Sequence, residues 1–422
     1  MFTNTHAPLI GGIERSVATF AGDLRALGHE ILIVTLQAAE SDTANDAAVL
    51  RLPALPGVDG LAAAGFSDAL GRFAPDLLHV HQPFLLGETA RRIARRRGLP
   101  LVLTHHTLYG READRVALSA LEALERATAR LAVAYSNRCE AVTAPTASVA
   151  ALLKEQGVLG DIGIVPTGID TARFASGRGE RFRAEHGIPR DAFVVGHLGR
   201  LIPAKRVGFL AEALVEFLAG STRTHALCCG KGESEEEILG RFHAAGLAHR
   251  LTLVGNLPDD EVPDAYAAMD VFTFASLTDT QGLVLLEAMA AGVPVLALRA
   301  TGPQDFITDG VCGRLLDSGA TPAAFAEALA ELARDPSRAD LAAGARRQAA
   351  AYDRRHCAVA LAGIYRRALD RPRREDAGDA EAVARPGLEE LQRRVESDWR
   401  NLAEQGGAIR ALLPTRGFPG LP

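Results

Sequence analysis

The sequence predicts an α/β fold built from two Rossmann-like domains that face each other across a cleft, followed by a C-terminal helical extension. Three observations carry that expectation. Short apolar runs alternate with amphipathic helical stretches, the pattern of a parallel, doubly wound sheet. The alternation restarts at Phe193 after a hinge-like Pro166-Thr167-Gly168-Ile169-Asp170. The chain has 422 residues, more than one core usually organises.

In the first unit, Ile31-Leu32-Ile33-Val34, Leu77-Leu78-His79-Val80, Leu101-Val102-Leu103 and Ala141-Val142-Thr143-Ala144 read as buried strands. Ile13–Leu27 and Ala117–Tyr135 read as helices between them. Met1-Phe2-Thr3-Asn4 leaves little room for a first strand before the His6–Gly12 loop, so that strand is unusually short or a few residues precede it. In the second unit the strands are Phe193–Leu198, His225–Cys229, Leu251–Val254, Val271–Phe274 and Val293–Leu298. The expected division is 1–167, 168–352 and 353–422. The last part holds a helix, Cys357–Leu369, that returns toward the first unit, a charged linker over Arg371–Ala380, and a tail with helical spacing at Leu388, Leu391, Val395, Trp399 and Leu402. Gly407–Pro422 reads as poorly ordered. Ligands of such sheets bind at the carboxyl ends of the strands, so two facing units imply a cleft site.

Composition excludes several classes. A net charge of −6 does not fit a nucleic-acid binder. No run approaches the roughly 18 apolar residues of a membrane span, and no secretory signal is recognisable. The five cysteines, an odd number without CxxC spacing, fit a reducing cytoplasm. One basic cluster, Arg91, Arg92, Arg95, Arg96 and Arg97 with Arg111, Arg115, Arg126 and Arg130 beyond, reads either as a solvated helix face or as a contact for anionic lipid.

Four groups of residues can carry chemistry. Asp279 and Glu287 flank a Gln281-Gly282-Leu283 turn that opens a helix. A carboxylate at 287 can accept hydrogen bonds from a ribose diol, and the free N–H groups at 281–283 suit sugar hydroxyls or phosphate. Asp279 either grips a sugar hydroxyl or caps the helix. The second group, Arg200 and Lys205, lies on the loop after the first strand of the second unit. Two cations there can hold a diphosphate and stabilise the charge that grows on a departing phosphate. The third, Gly11-Gly12, precedes the first helix and lets phosphate approach its N-terminus, or is an ordinary strand–helix turn. The fourth comprises His79, His81, His105 and His106 at the ends of two strands. No acid or cysteine completes a ligand set nearby, so no metal is expected. These histidines read instead as lining an acceptor pocket, where imidazole orients or deprotonates a hydroxyl.

Taken together, Gly11-Gly12-Ile13-Glu14, Val165-Pro166-Thr167-Gly168-Ile169-Asp170, Gly199-Arg200-Leu201 with Lys205, and Asp279 through Glu287 resemble the retaining glycosyltransferases of family 4, which have the GT-B fold. The resemblance spans about residues 1–370. His81-Gln82-Pro83-Phe84-Leu85-Leu86-Gly87, Thr104-His105-His106-Thr107-Leu108-Tyr109 and Thr278-Asp279-Thr280-Gln281-Gly282 look like the branch that contains diacylglycerol glucosyltransferases.

The resemblance implies a cytoplasmic hexosyltransferase, with a peripheral contact at the inner membrane surface if the acceptor is a lipid. It would use a nucleotide diphosphate sugar, UDP-sugar favoured, and need neither cofactor nor metal. Arg200 and Lys205 would hold the diphosphate and Glu287 the ribose. Asp279, where the family usually has Glu, would contact the donor sugar beside Gln281, Gly282 and Leu283. Gly11 and Gly12 would line the phosphate region, and His106 would stand near the reacting sugar. His81, His105 and Tyr109 would belong to the acceptor side. Lys231 departs from the acid often found there. Three readings remain: transfer to a membrane lipid such as diacylglycerol, transfer to a soluble glycan or polysaccharide precursor, and a catalytically silent nucleotide-sugar-binding protein.

Overall fold

A computed structural model describes residues 1–7, 11–36, 46, 48–52, 66–109 and 119–371. Arg111, Arg115 and the expected tail helix over 388–402 lie outside the described residues.

The first unit runs β1 (Phe2–Thr3), α1 (Gly12–Ala26), β2 (Ile33–Leu36), β3 (Val49–Leu52), α2 (Phe66–Phe73), β4 (Leu78–Val80), α3 (Leu86–Arg97), β5 (Leu101–Thr104), α4 (Ser119–Ser136), β6 (Ala141–Ala144), α5 (Ala147–Glu155) and β7 (Ile162–Ile164). Its seven strands lie in the order β3-β2-β1-β4-β5-β6-β7 and pair in parallel throughout. The first strand, Phe2–Thr3, sits centrally: Phe2 pairs with both Val34 and Val80.

Two short helices follow, α6 (Thr171–Ala175) and α7 (Gly179–Glu185). The second unit then runs β8 (Phe193–Leu198), α8 (Val207–Ala219), β9 (Thr224–Cys229), α9 (Glu235–Ala244), β10 (Leu251–Val254), α10 (Val262–Ala267), β11 (Val271–Phe274), α11 (Leu283–Ala290), β12 (Val295–Leu298), β13 (Gly313–Leu316), α12 (Pro322–Arg334) and α13 (Arg338–Ala350). Its parallel sheet has the order β10-β9-β8-β11-β12-β13. Central strands such as Val271–Phe274 and Val295–Leu298 are buried on both faces, which is why they read as continuous apolar runs.

The structure adds three strands to the sequence reading (β3, β7 and β13) and moves two strand starts by two residues, from Ile31 to Ile33 and from Val293 to Val295. β7 and β13 each contain a glycine, which weakens the strand signal.

The chain passes between the units twice, side by side. Ile169 N–H donates to Tyr352 O at 3.0 Å, and Arg354 N–H donates to Ile169 O at 2.9 Å. The final helix, α14 (Arg354–Asp370), then returns to the first unit. Its Cys357, Leu361, Ile364, Tyr365 and Ala368 share one face and pack with Phe20, Leu24, Val102 and Val165. Burying each large side chain there contributes on the order of 1.5–3 kcal/mol.

In both sheets the strand order reverses once, between β1 and β4 and between β8 and β11. Crevices form at such switch points, outside the carboxyl ends of the strands. Gly11-Gly12 and His81 follow β1 and β4. Arg200–Lys205 and Asp279–Glu287 follow β8 and β11. Sheet topology thus gathers residues that are far apart in sequence.

Candidate functional site

After β8 the chain makes a loop, Gly199–Ile202, and a short 3-10 turn, Pro203–Lys205, before α8. The loop lies directly on the one after β9. A Cβ at Gly230, where φ is +134°, would meet Gly199 O at 1.9 Å, so no side chain fits between them. Lys205 ends the turn with its ammonium on Asp279 Oδ1. Both side chains are about one-fifth exposed (21% and 20%), and Asp279 Oδ2 is buried without a hydrogen-bond partner. Arg200 is exposed on the same loop and makes no side-chain ion pair among the described residues.

Asp279 does not cap the helix. The cap position is Gly282, whose φ of +71° favours glycine, and no side chain bonds the first N–H groups there. The N-terminal amides of α11 therefore remain open to a ligand's oxygens. One turn further in, Glu287 is buried. Its Oε1 accepts from Arg15 Nη1, on α1 of the first unit, and its Oε2 accepts from Tyr266 Oη at 2.8 Å. The Glu287 carboxylate and desolvation shift these partners: Arg15 titrates higher than usual, chiefly through the nearby negative charge, and the Tyr266 phenol is pushed well up, chiefly by burial.

Gln281 occupies a different place from the one expected for a donor contact. Its amide is buried and bonded to the Thr167 backbone, accepting from Thr167 N and donating to Thr167 O. Thr167 Oγ1 also meets Ser16 Oγ at 2.7 Å. The 281 side chain thus ties the α11 turn to the interdomain crossover, while Leu283 is half-buried at the helix start.

The histidines divide. His81 Nδ1 and His106 Nε2 share a hydrogen bond of 2.9 Å with rings stacked at 5.2 Å, and His106 O accepts from Thr280 Oγ1 of the second unit. His81 and His106 thus stand where the units meet. His79 and His105 do not. His79 is buried between Tyr365 Oη (2.6 Å) and Thr104 Oγ1 (2.7 Å). His105 is buried with Nε2 on Ser136 Oγ at 2.8 Å, so its assignment to the acceptor side is corrected: the ring turns toward α4. Both residues lie just beyond the end of β5 and bond different partners, the His105 ring to Ser136 and the His106 ring to His81. Burial holds all four imidazoles neutral, with His105 lowered to about 4 and His106 to about 3. Tyr109 packs edge-on against Phe84, with ring centroids 5.4 Å apart.

Gly11 and Gly12 open α1; among the described residues a Cβ at Gly12 would meet nothing within 4 Å, whereas one at Gly11 would meet the Glu14 carboxylate, which lies beside that helix start. Among the described residues, no group of three or more His, Cys, Asp or Glu has the arrangement of a metal site. The sequence reading did not single out Arg15, Tyr266, Thr167 or Thr280. Arg15 follows the Gly11–Glu14 motif directly, but nothing local indicates its partner 272 positions on. Tyr266 on α10 resembles any core aromatic.

Two carboxylate–cation pairs, Asp279 with Lys205 and Glu287 with Arg15, flank the start of α11, and contacts from Arg15 and the His106 carbonyl join it to the first unit. The family model for Glycosyltransferase Family 4 matches residues 10–173, and that for Glycosyl transferases group 1 matches residues 179–348. The chain is 26% identical to the alpha-monoglucosyldiacylglycerol synthase of Acholeplasma laidlawii, over 74% of this chain and 83% of that protein. It is 30% identical to the GDP-mannose-dependent alpha-mannosyltransferase of Mycobacterium tuberculosis, over 80% of this chain and 88% of that protein. Among solved structures, Anabaena Alr3699/HepE in complex with UDP and glucose superposes with a TM-score of 0.70 at 22% identity. The match covers 86% of this chain and 98% of that one, and shows the same two-domain fold.

Proposed function

This chain belongs to glycosyltransferase family 4 with the GT-B fold, and from that premise we propose that it moves a hexose from a nucleotide diphosphate sugar to a hydroxyl acceptor with retention of configuration. One observation carries the reading: Lys205, Asp279 and the α11 amides lie together at the β8/β11 switch point, with buried Glu287 one turn into α11.

In this reading the second unit, with 168–352 as its extent, is the donor domain. Glu287 accepts hydrogen bonds from the ribose diol. Arg200 and Lys205 hold the diphosphate with Gly11 and Gly12 and the N–H groups of Gln281, Gly282 and Leu283. Asp279 Oδ2, buried and unpartnered, takes a hydroxyl of the donor sugar. His106 is neutral at working pH, so it serves by hydrogen bonding and not as a cation.

The C1–O bond to the diphosphate breaks while the acceptor oxygen bonds C1 from the same face, and the acceptor proton passes to the departing phosphate oxygen. Arg200 and Lys205 stabilise the charge on that leaving group, so no metal is needed for it. Closure of the two units excludes water and limits donor hydrolysis.

The first unit, over 1–167, supplies the acceptor side with His81 and Tyr109. We favour a membrane lipid such as diacylglycerol, because the synthase of Acholeplasma laidlawii is named for one. The exposed end of α3, Arg95–Arg97, is the surface that would meet anionic headgroups at the inner face of the membrane. Among the described residues no helix is long and apolar enough to cross a membrane. Uridine is the favoured base; the mannosyltransferase relative supports guanine as the second reading.

The test pairs UDP-glucose and GDP-mannose with diacylglycerol in anionic vesicles and with soluble glycans. Transfer to the vesicle lipid supports the reading. Transfer to the glycans alone, without co-sedimentation with vesicles, replaces it with the soluble acceptor. Nucleotide-sugar binding without transfer to any acceptor favours a silent binding protein.

A further inference from the structure

Each carboxylate of the site is neutralised by a cation of the site: Asp279 by Lys205 and Glu287 by Arg15. The second pair is unusual in that its cation comes from the other unit. The Glu287 side chain is 2% exposed, whereas that of Arg15 is 36% exposed, so the guanidinium covers the carboxylate on its solvent side. A buried carboxylate without a counter-charge is costly, and Arg15 supplies that charge to Glu287. The other carboxylate oxygen is held by the Tyr266 hydroxyl.

Arg15 has little else to hold it. Its second amine is 3.8 Å from Asp259, an exposed carboxylate that Arg173 already engages at 2.9 Å. It lies in the first turn of α1, beside Gly12, where a Cβ would meet nothing within 4 Å among the described residues.

We propose that Arg15 is a donor-binding residue contributed by the first unit: paired with Glu287 as seen here, it yields that carboxylate to the ribose diol when the donor binds and turns onto the diphosphate beside α1. The inference rests on the reading of Glu287 as the ribose site. Neutral hydroxyls replace cations on the two carboxylates, and the released Lys205 and Arg15 face the two phosphates. Arg15 is thereby the element that makes donor binding depend on both units, since only the closed cleft brings α1 to α11.

The exchange separates nucleoside from nucleotide. Uridine competes with Arg15 but offers it no phosphate; UDP does both. In calorimetric titrations Arg15→Ala is expected to tighten uridine about threefold or more and to weaken UDP about tenfold, the scale of one lost charge-assisted hydrogen bond. Guanosine and GDP are run in parallel as the second base. Arg15→Lys keeps a charge without the planar fork and guards against misfolding of the alanine variant. It is expected to tighten uridine while holding UDP within about threefold of wild type. Uridine and UDP changing by the same factor, or uridine not tightening, overturns the inference while the ribose-site reading stands. Failure of wild-type protein to bind either nucleoside diphosphate overturns both.

Discussion

Gln281 holds the Thr167 peptide with both ends of its amide: Oε1 accepts from Thr167 N at 2.9 Å and Nε2 donates to Thr167 O at 2.7 Å. The turn that opens α11 is thus fastened to the strand along which the chain passes between units. Position 281 is one residue from the cap glycine, so any shift of the crossover moves the amides of Gly282 and Leu283.

Gln281→Ala is expected to lower stability by about 1–3 kcal/mol, because two buried backbone groups lose their partner. Gln281→Glu is expected to do at least as much, since an oxygen then faces Thr167 O. Urea denaturation measures the loss. A parallel fall in kcat with little change in donor KM would mark Gln281 as a positioning residue.

Lys205→Ala removes a proposed phosphate contact and leaves the Asp279 carboxylate without its cation. Turnover with the nucleotide sugar is expected to fall about 100-fold or more, on the scale of removing one electrostatic stabiliser of a leaving group. The thermal midpoint is expected to move little, because both side chains are partly solvated. Steady-state kinetics beside a thermal scan checks both statements.

Acid is expected to destabilise the protein through its buried histidines. Their folded pKa values lie below the ordinary 6.5, to about 4 for His105 and about 3 for His106, both through burial. The unfolded chain therefore binds more protons below pH 6.5. The stability they contribute is fully present above that pH and is lost as pH falls toward 4 and then 3. Each such group steepens the loss by about 1.4 kcal/mol per pH unit within its window. Urea midpoints from pH 7 to pH 4 measure the slope, and His105→Gln is expected to flatten it.

Tyr266→Phe deletes one of two hydrogen bonds to Glu287 while keeping the buried ring. The expected cost is about 1–2 kcal/mol of stability. Nucleotide affinity is expected to weaken severalfold, since the carboxylate is less firmly oriented. Denaturation and titration on the same preparation separate the two effects.

Much of this was legible in the residues themselves. The strands that read clearly, such as Val271–Phe274, are buried on both faces and rich in β-branched and aromatic residues. Gly313–Leu316 and Ile162–Ile164 escaped because each is short and carries a glycine. The Asp279–Glu287 and Arg200–Lys205 segments were recognisable because glycine, acid and cation stand at fixed offsets along one strand–helix junction. Arg15 and Tyr266 were not, because their meaning lies in contacts between separate elements. His105 shows the limit of adjacency: of two neighbouring histidines just past β5, the first bonds Ser136 and the second His81, and it is the backbone carbonyl of His106 that meets Thr280 of the second unit.

The most direct measurement of the central claim is calorimetric titration of UDP and GDP into wild-type protein and into Glu287→Ala. One nucleoside diphosphate is expected to bind the wild type and to lose about 30-fold or more in affinity when the carboxylate is removed, on the scale of two hydrogen bonds to a charged group. Equal affinity for both proteins, or no binding to the wild type, would contradict the account.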